Sequence, residues 1–263
     1  MKRVMVVDDD EHIAELLVIS LGRLGYETCC THSARKALRK AREFNPDLLM
    51  LDVMLGDGIG YQVARSIRQD PLLYRMPILF QSVVAEDRDI HHAYREGGDG
   101  YVKKPYTLND LREAIAKMDS LLRSISTPCP KTDLGSFNGL KREVDHRLFR
   151  SDPFSLVYLT LDPITENGAP NADGVFDAGV KFVAAMIRRT LKQDGFYETY
   201  PCHSGAGHFY VLLTFDDCAR FQSCLSENIT NARKAPAMAE AFPDLAKRAH
   251  ARTNTPYLET LRL

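Results

Sequence analysis

The sequence lacks the features of a membrane-embedded, nucleic-acid-coating or disulfide-stabilised protein. It has no apolar run of about 18 residues, the length that crosses a bilayer, and its N-terminus reads as a strand rather than a signal peptide. A net charge of −1 gives no overall attraction to nucleic acid or to a membrane. The six cysteines show no paired C-x-x-C spacing, so we expect reduced thiols in a cytoplasmic protein and no zinc site.

The first 123 residues alternate short apolar runs with helical patterns. The apolar runs lie at residues 3–7, 27–30, 48–51, 78–80 and 100–102, and the helical patterns near 11–24, 34–44, 59–69, 86–96 and 108–123. Runs that are apolar throughout are typical of parallel strands buried on both faces. The pattern predicts an α/β domain with a five-stranded, doubly wound parallel sheet.

Clustered acids follow the first predicted strand, in the stretch "VMVVDDDEH". They are either a solvated turn at a helix start or part of a site for a hard cation, and the second reading needs one more carboxylate. Asp52 supplies it, because it ends the third strand after "PDLLML". Since the carboxyl ends of parallel strands meet at one edge, Asp8, Asp9 and Asp52 predict a Mg²⁺ site there.

Two further residues reach the same edge of the predicted sheet. Ser82 follows "PILFQ" at the end of the fourth strand, and Lys104 follows "YVK" at the end of the fifth. Each alone is explained as an ordinary surface residue. Together, a hydroxyl and an ammonium opposite three carboxylates are typical of a site that holds a phosphoryl group.

Residues 1–123 resemble the receiver domain of two-component response regulators. The resemblance is carried by "VVDDD", by "PDLLMLDVML" with Gly60 eight residues after Asp52, by "MPILFQS" and by "EGGDGYVKKPY". It implies that Asp52 accepts phosphate from the phosphohistidine of a sensor histidine kinase or of a phosphotransfer protein. It also implies that Mg²⁺ is bound by Asp9, Asp52 and the backbone carbonyl of Met54, with Asp8 acting through water. The receiver domain is also a candidate surface for homodimer formation.

The resemblance also assigns roles around the phosphoryl group. Ser82 and Lys104 would bind its oxygens, Tyr101 would be the switch aromatic, and the Lys104–Pro105 bond would be cis, as proline permits. The chain departs from the family at Gly56, where a proline is usual. Because glycine relaxes the backbone, we expect a looser loop there.

Residues 124–138 are rich in Ser, Thr, Pro and Gly and predict a linker, which is followed by a second domain at 139–232. Its pattern is helix, strand, helix, strand, strand, helix, which predicts an α+β domain with helices on one face of an antiparallel sheet. The expected strands are 154–162, 196–201 and 208–215. The expected helices are 140–150, 178–191 and 216–232, with Asp216 as N-cap of the last. The tail, 233–263, is expected either to dock as a helix or to stay mobile.

The second domain resembles the GGDEF domain of diguanylate cyclases, through its element order and the stretch "HSGAGHFYVLL". The hairpin signature aligns as Gly205-Ala206-Gly207-His208-Phe209. Its two acidic positions carry Gly207, which has no side chain, and His208, which is a poor ligand for Mg²⁺. Asp162 alone would leave a cation underligated. We therefore expect a degenerate signature with no cyclase catalytic residue.

Other features of the second half favour plain structural explanations. His208 is expected to be a half-buried strand residue, and Asp173 and Asp177 to be helix-start residues. Charges beyond residue 130 are balanced and no helix-turn-helix signature is present, so we expect no DNA partner. The leading hypothesis is a response regulator whose non-catalytic second domain acts by contact with a downstream protein. The alternative is a residual cyclase or a nucleotide-binding domain.

Overall fold

A computed structural model describes residues 1–84, 86–161, 175–193, 195–234 and 257–262. The chain divides into two compact units. Unit 1 comprises Met1–Ile125 and Asp145–Arg150, and unit 2 comprises Ser126–Val144 and Ser151–Leu263.

Unit 1 contains the predicted five-stranded parallel sheet. Its strands are β1 (Arg3–Val7), β2 (Glu27–Thr31), β3 (Leu48–Asp52), β6 (Ile78–Ser82) and β7 (Gly100–Lys103). They pair in the order β2-β1-β3-β6-β7, all parallel. The sequence did not predict the two-residue strands β4 (Met54–Leu55) and β5 (Gly58–Ile59), which form a separate antiparallel ladder after Asp52.

Five helices cover both faces of this sheet, as the apolar strands predicted. They are α1 (Glu11–Arg23), α2 (Ala34–Phe44), α3 (Gly60–Gln69), α4 (Asp87–Arg95) and α5 (Leu108–Ser126). Successive strand residues point to opposite faces, so each strand feeds two cores. Met5 and Val7 pack in a cluster with residues of α2, α3 and α4, whereas Val4 and Val6 pack in a cluster with residues of α1 and α5.

The helix start at Asp10 explains one of the three consecutive aspartates. Its carboxylate accepts the backbone N–H groups of His12 (2.9 Å) and Ile13 (3.1 Å), which makes it the N-cap of α1. The helix-start reading therefore holds for Asp10, while Asp8 and Asp9 remain available at the strand end.

The segment predicted as a linker, residues 124–138, is ordered in the structure. Residues 124–126 continue α5, and α6 begins at Phe137 and extends to Arg150. Between the two helices, Leu134 is buried in the core of unit 2. Gly135 forms a parallel bridge with Cys202. The sequence did not predict these two contacts with unit 2, because the segment is polar and contains prolines.

Unit 2 is built on a four-stranded antiparallel sheet. The elements are β8 (Phe154–Thr160), α7 (Val175–Gln193), β9 (Tyr200–Gly205), β10 (His208–Thr214), α8 (Cys218–Lys234) and β11 (Tyr257–Arg262). The sheet order is β11-β8-β10-β9. This β-α-β-β-α-β arrangement is the split βαβ pattern of ferredoxin-like domains, and it agrees with the predicted antiparallel α+β class.

The helices of unit 2 lie on both faces of its sheet, and the prediction of one covered face is wrong. Val157, Val211 and Phe221 belong to a core formed with α7 and α8. The alternate strand residues pack on the other face, where Leu212 joins a cluster with Leu140 of α6. The first helix of the pattern therefore covers the face opposite the other two.

Two boundaries in unit 2 also differ from prediction. The strand expected at 196–201 is β9 at 200–205. Phe196 packs in the core instead, and Glu198 has a positive φ of 51°, which is incompatible with a regular strand. The residue that precedes α8 is Asp217 rather than Asp216, and its carbonyl accepts the N–H of Phe221 (2.9 Å).

The region predicted as a tail, 233–263, contains a strand, which the sequence did not predict. Residues 257–262 form β11, which pairs antiparallel with β8 at the edge of the sheet. Residues 235–256 lie outside the described part. No described helix is both long and apolar enough to span a bilayer.

Candidate functional site

The carboxyl ends of β1 and β3 bring three acids together. One carboxylate oxygen from each of Asp8, Asp9 and Asp52 lies within 4.8 Å of the others, and we call these residues the acid cluster. Asp8 is 1% exposed and Asp52 9%, whereas Asp9 is exposed to solvent. The parallel register of β1 with β3 pairs Val7 with Leu51, so both strands end at the same level.

Lys104, which follows β7, bridges the two buried carboxylates of the acid cluster. Its Nζ donates to Asp8 Oδ2 (2.6 Å) and to Asp52 Oδ2 (2.5 Å). Burial lowers the pKa of Lys104, but the hydrogen bonds to Asp52 and Asp8 outweigh burial and raise it above its usual value. The ammonium is therefore charged at neutral pH and offsets one of three negative charges.

Asp8 is held by groups that the sequence did not single out. Gln81 is fully buried in β6, donates from Nε2 to Asp8 Oδ2 (3.0 Å) and accepts the hydroxyl of Tyr106 (2.6 Å). His32 Nδ1 lies 3.1 Å from the Asp8 carbonyl oxygen. Burial, despite the opposing effect of Lys104, raises the pKa of Asp8. The available signal was Gln81 itself, a polar residue in an otherwise apolar strand.

The loop after Asp52 is anchored, contrary to the looseness expected from Gly56. Its ladder of β4 and β5 is followed directly by α3, and the N–H of Met54 donates to Asp52 Oδ1 (3.1 Å). Asp57 accepts the hydroxyl of Ser33 (2.6 Å) and the N–H of Ala34 (2.7 Å) at the start of α2. These contacts fix the loop without a proline.

Gly60 is required by a close approach of the backbone. A Cβ at this position would lie 2.1 Å from the carbonyl oxygen of Asp52, far inside van der Waals contact. The N–H of Gly60 also donates to the Val53 carbonyl (2.9 Å). The spacing of eight residues between Asp52 and Gly60 therefore has a steric cause.

The remaining predicted residues lie at the ends of β6 and β7. Ser82 is buried, and its Oγ accepts the N–H of Val84 (3.3 Å). Tyr101 donates its hydroxyl to the carbonyl of Val84. The N–H of Lys104 donates to the Ser82 carbonyl (2.8 Å), and the Lys104–Pro105 bond is cis, as expected. Ser82 and Lys104 thus end neighbouring strands at the edge that carries Asp52.

The acid cluster fits a divalent cation. Three carboxylates face one ammonium, which leaves an excess of negative charge in a poorly screened place. Hard cations such as Mg²⁺ prefer oxygen ligands. The raised pKa of Asp8 is an effect of burial that a nearby cation would oppose.

In unit 2, the hairpin between β9 and β10 turns at Ala206 and Gly207. Both have positive φ (47° and 78°), as a two-residue type I′ turn requires. A Cβ on Gly207 would lie 2.6 Å from the Leu161 carbonyl oxygen, so no side chain fits there without a shift. His208 is half-buried in β10, and its Nδ1 is 2.6 Å from the hydroxyl of Tyr158. Neither position offers a carboxylate.

The structure describes one of the other candidate acids of unit 2, Asp177. Asp177 lies in the first turn of α7, as predicted, and pairs with Lys131 (2.9 Å). Asp162, Asp173 and the turn-rich segment 163–174 lie outside the described residues.

Comparison with known proteins identifies relatives of the first half of the chain. Residues 4–116 match the family described as response regulator receiver domain. The chain is 35% identical over 133 residues to the alkaline phosphatase synthesis transcriptional regulatory protein PhoP of Bacillus subtilis (strain 168), over 51% of this chain and 53% of that protein. It is 32% identical over 123 residues to the DNA-binding dual master transcriptional regulator RpaA of Synechocystis sp. (strain ATCC 27184 / PCC 6803 / Kazusa), over 47% of this chain and 50% of that protein.

The chain thus spans about half the length of these curated relatives. Among solved structures, it is similar to a two-component response regulator from Clostridium difficile, with 27% identity and a TM-score of 0.43. That match covers 48% of this chain and all of the other.

Proposed function

We propose, from the premise that residues 4–116 are a response regulator receiver domain, that this chain is a two-component response regulator phosphorylated at Asp52. The donor is the phosphohistidine of a sensor histidine kinase or of a phosphotransfer protein. The observation that carries the proposal is the ammonium of Lys104, which lies within hydrogen-bond distance of both Asp8 and Asp52.

The residues of the edge divide the work of phosphoryl transfer. A carboxylate oxygen of Asp52 forms the bond to phosphorus while the nitrogen–phosphorus bond of the phosphohistidine breaks. Lys104 neutralises charge on the transferred group and exchanges its contact with Asp52 for one with a phosphoryl oxygen. Mg²⁺, when held by Asp9, Asp52 and the Met54 carbonyl, with Asp8 acting through water, would neutralise charge on the phosphoryl oxygens.

Labelling by a small phosphodonor tests the assignment of Asp52. The full chain is incubated with acetyl phosphate and Mg²⁺, and the mass increase is located by peptide analysis. We expect labelling of the wild type, none of Asp52→Asn, and unchanged labelling of Asp110→Asn. Asp110 is a matched control because it is an exposed aspartate in the first turn of α5 whose carboxylate contacts Thr107 instead of Lys104. Equal labelling of Asp52→Asn and the wild type would refute the proposal.

For unit 2 we propose a degenerate, non-catalytic GGDEF-like output domain that acts by contact with a downstream protein. The support is local: Gly207 has no room for a side chain, and His208 is hydrogen-bonded to Tyr158. Two-metal phosphoryl transfer needs oxygen ligands that these two positions lack. The names of the two curated relatives describe transcriptional regulators, so DNA binding is the outcome that competes with protein contact.

Four measurements separate the candidate outputs of the chain. Incubation with GTP and Mg²⁺ or Mn²⁺, with and without beryllofluoride, should yield no cyclic di-GMP above a heat-killed control. Equilibrium dialysis against GTP tests the nucleotide-binding alternative separately from turnover. Gel filtration and duplex-DNA retention of the beryllofluoride-treated chain test homodimerisation through the receiver and DNA binding, and retention of DNA would contradict output by protein contact.

A further inference from the structure

The segment between α5 and α6 places a thiol against a buried histidine of β9. Cys129 Sγ lies 3.1 Å from His203 Nδ1. His203 is 6% exposed, and its ring stacks on Phe209 with centroids 4.8 Å apart. The Nε2 atom of His203 is buried and has no hydrogen-bond partner among the described residues. The sulfur of Cys129 is thus the polar group that this imidazole faces.

The unpartnered Nε2 of His203 helps to decide which ring nitrogen carries the hydrogen. If the thiol donates to Nδ1, the neutral imidazole carries its hydrogen on Nε2, as a buried donor without an acceptor. If Nδ1 carries the hydrogen and donates to the sulfur, Nε2 is left as an unpaired acceptor. Buried orphan N–H groups are rarer than under-satisfied acceptors. Burial and the nearby Lys131 and His208 lower the pKa of His203, so the ring stays neutral. The contact therefore favours the tautomer in which Nδ1–H donates to the sulfur of Cys129.

The backbone around Cys129 stabilises negative charge on the sulfur. A tight turn follows Cys129, in which the N–H of Asp133 donates to the Cys129 carbonyl (2.7 Å). Burial raises the pKa of Cys129, but hydrogen bonds from Thr132 and Lys131 and the charge of Lys131 outweigh it and lower the pKa overall. Cys129 is also partly exposed, so a small reagent can reach it.

The other cysteines provide a contrast within the same chain. Burial raises the pKa of Cys29 to about 11 and that of Cys202 to about 12. Burial also raises the pKa of Cys30. Thiols with raised pKa values react slowly because the thiolate is the nucleophile. Cys129 differs from these three in its environment.

We propose that Cys129 and His203 form a reactive thiolate–imidazole pair, and that Cys129 is a site of oxidation by hydroperoxides. The thiolate sulfur attacks one peroxide oxygen, an S–O bond forms and the O–O bond breaks. The attacked O–H oxygen stays on sulfur, which is oxidised by two electrons, and the other oxygen leaves with the electron pair of the O–O bond as hydroxide or alkoxide and is protonated by solvent. The product is a sulfenic acid at Cys129. All contacts lie within unit 2, and the proposal is independent of phosphorylation at Asp52.

Competitive alkylation of the full chain tests the pair. Iodoacetamide is applied over a series of pH values and the six cysteines are followed by mass spectrometry. We expect Cys129 to react fastest at pH 7, with a rate midpoint below the ordinary thiol pKa of about 8.5. Cys29 and Cys202 serve as internal controls and should react only at high pH. A Cys129 midpoint at or above that of Cys29 would overturn the proposal.

Variants separate the hydrogen bond from mere exposure. His203→Phe keeps a ring against Phe209 and removes Nδ1. At pH 7 the alkylation rate at Cys129 should fall by about tenfold for each unit by which the variant raises the pKa of Cys129, whereas at pH 10 the rate should change little. If this variant fails to fold, Lys131→Ala carries the decision with a smaller fall. Its control is Lys192→Ala, at the far end of α7 from the Asp177 that pairs with Lys131. Equal rates in Lys131→Ala and Lys192→Ala would count against the proposal.

Hydrogen peroxide followed by dimedone tests the oxidation itself. The dimedone adduct is expected on Cys129 before any other cysteine, and in lower yield in His203→Phe. Peroxide that modifies other cysteines while leaving Cys129 unlabelled would refute the assignment.

Discussion

Removing the charge of Lys104 is the most direct test of the acid cluster. Lys104→Met keeps an unbranched apolar stem and deletes the ammonium that lies 2.6 Å from Asp8 and 2.5 Å from Asp52. Lys104 and Asp8 have side chains that are 11% and 1% exposed, so solvent screens little of what remains. Breaking a buried ion pair costs about 3–5 kcal/mol. We expect about 3 kcal/mol, because Asp8 can bind a proton instead.

The cost should depend on pH and on Mg²⁺. The pKa of Asp8 is already raised in the native state. Loss of Lys104 raises it further, and a protonated Asp8 needs no cation. The difference in stability between variant and wild type should therefore shrink as the pH falls through this raised pKa. Mg²⁺ at about 100 times its Kd stabilises a site by about 2.7 kcal/mol. In the variant it meets no competing ammonium, so a given concentration should raise the melting temperature more than in the wild type.

Scanning calorimetry of the full chain checks both expectations, and the transition that responds to Mg²⁺ identifies the receiver. A loss of about 3 kcal/mol corresponds to roughly 10 °C for a domain of this size. The matched control is Lys103→Met, which removes the same charge from the adjacent, exposed residue and should shift stability by no more than about 0.5 kcal/mol. If the two variants melt together, the bridging role of Lys104 is wrong.

Three further predictions follow from the site. Gly60→Ala should cost at least about 3 kcal/mol, because its Cβ would lie 2.1 Å from the Asp52 carbonyl oxygen. Its control is Gly22→Ala in α1, where an added Cβ would have no atom within 4 Å and should stabilise the protein by up to about 1 kcal/mol. Thermal melts in which Gly60→Ala is as stable as the wild type would contradict the steric argument. Mg²⁺ affinity should fall as the pH drops through the raised pKa of Asp8, because the proton competes with the metal; titration calorimetry that shows no proton release on binding would argue against this. Asp57→Ala should speed amide hydrogen exchange at residues 33–36 and 54–59, since Asp57 holds the start of α2, and unchanged exchange there would exclude an anchoring role.

Strand ends were the most predictable part of the site. Asp8 and Asp52 directly follow an apolar run, and Ser82 and Lys104 follow one after a single polar residue. Chain order alone therefore places all four at one edge of a parallel sheet. Gln81 and Tyr106 were missed because their link to Asp8 depends on side-chain orientation across neighbouring strands. The ladder of β4 and β5 was missed because two residues carry no periodicity.

Unit 2 was less predictable because its pairings are non-local. The tail contains prolines and an Ala-rich stretch, and no local signal marks 257–262 as a partner for β8. The single-face prediction for the helices was wrong because an amphipathic pattern such as that of α6 gives a buried face without stating which side of the sheet it meets. The start of β9 was misplaced because Phe196 is an apolar residue that packs in the core with α7 and α8 without being part of a strand.

The pairing of β11 with β8 has a consequence for how the chain is made. About 100 residues separate these strands, and synthesis at roughly 5–20 residues per second takes several seconds to cover that interval. Until β11 arrives, β8 is an open strand edge, the kind of surface that recruits other strands. Unit 1 needs no such wait, because all five strands of its sheet lie within the first 103 residues. The receiver therefore has the opportunity to fold on the ribosome before the sheet of unit 2 is complete, and crowded synthesis exposes unit 2 to mispairing.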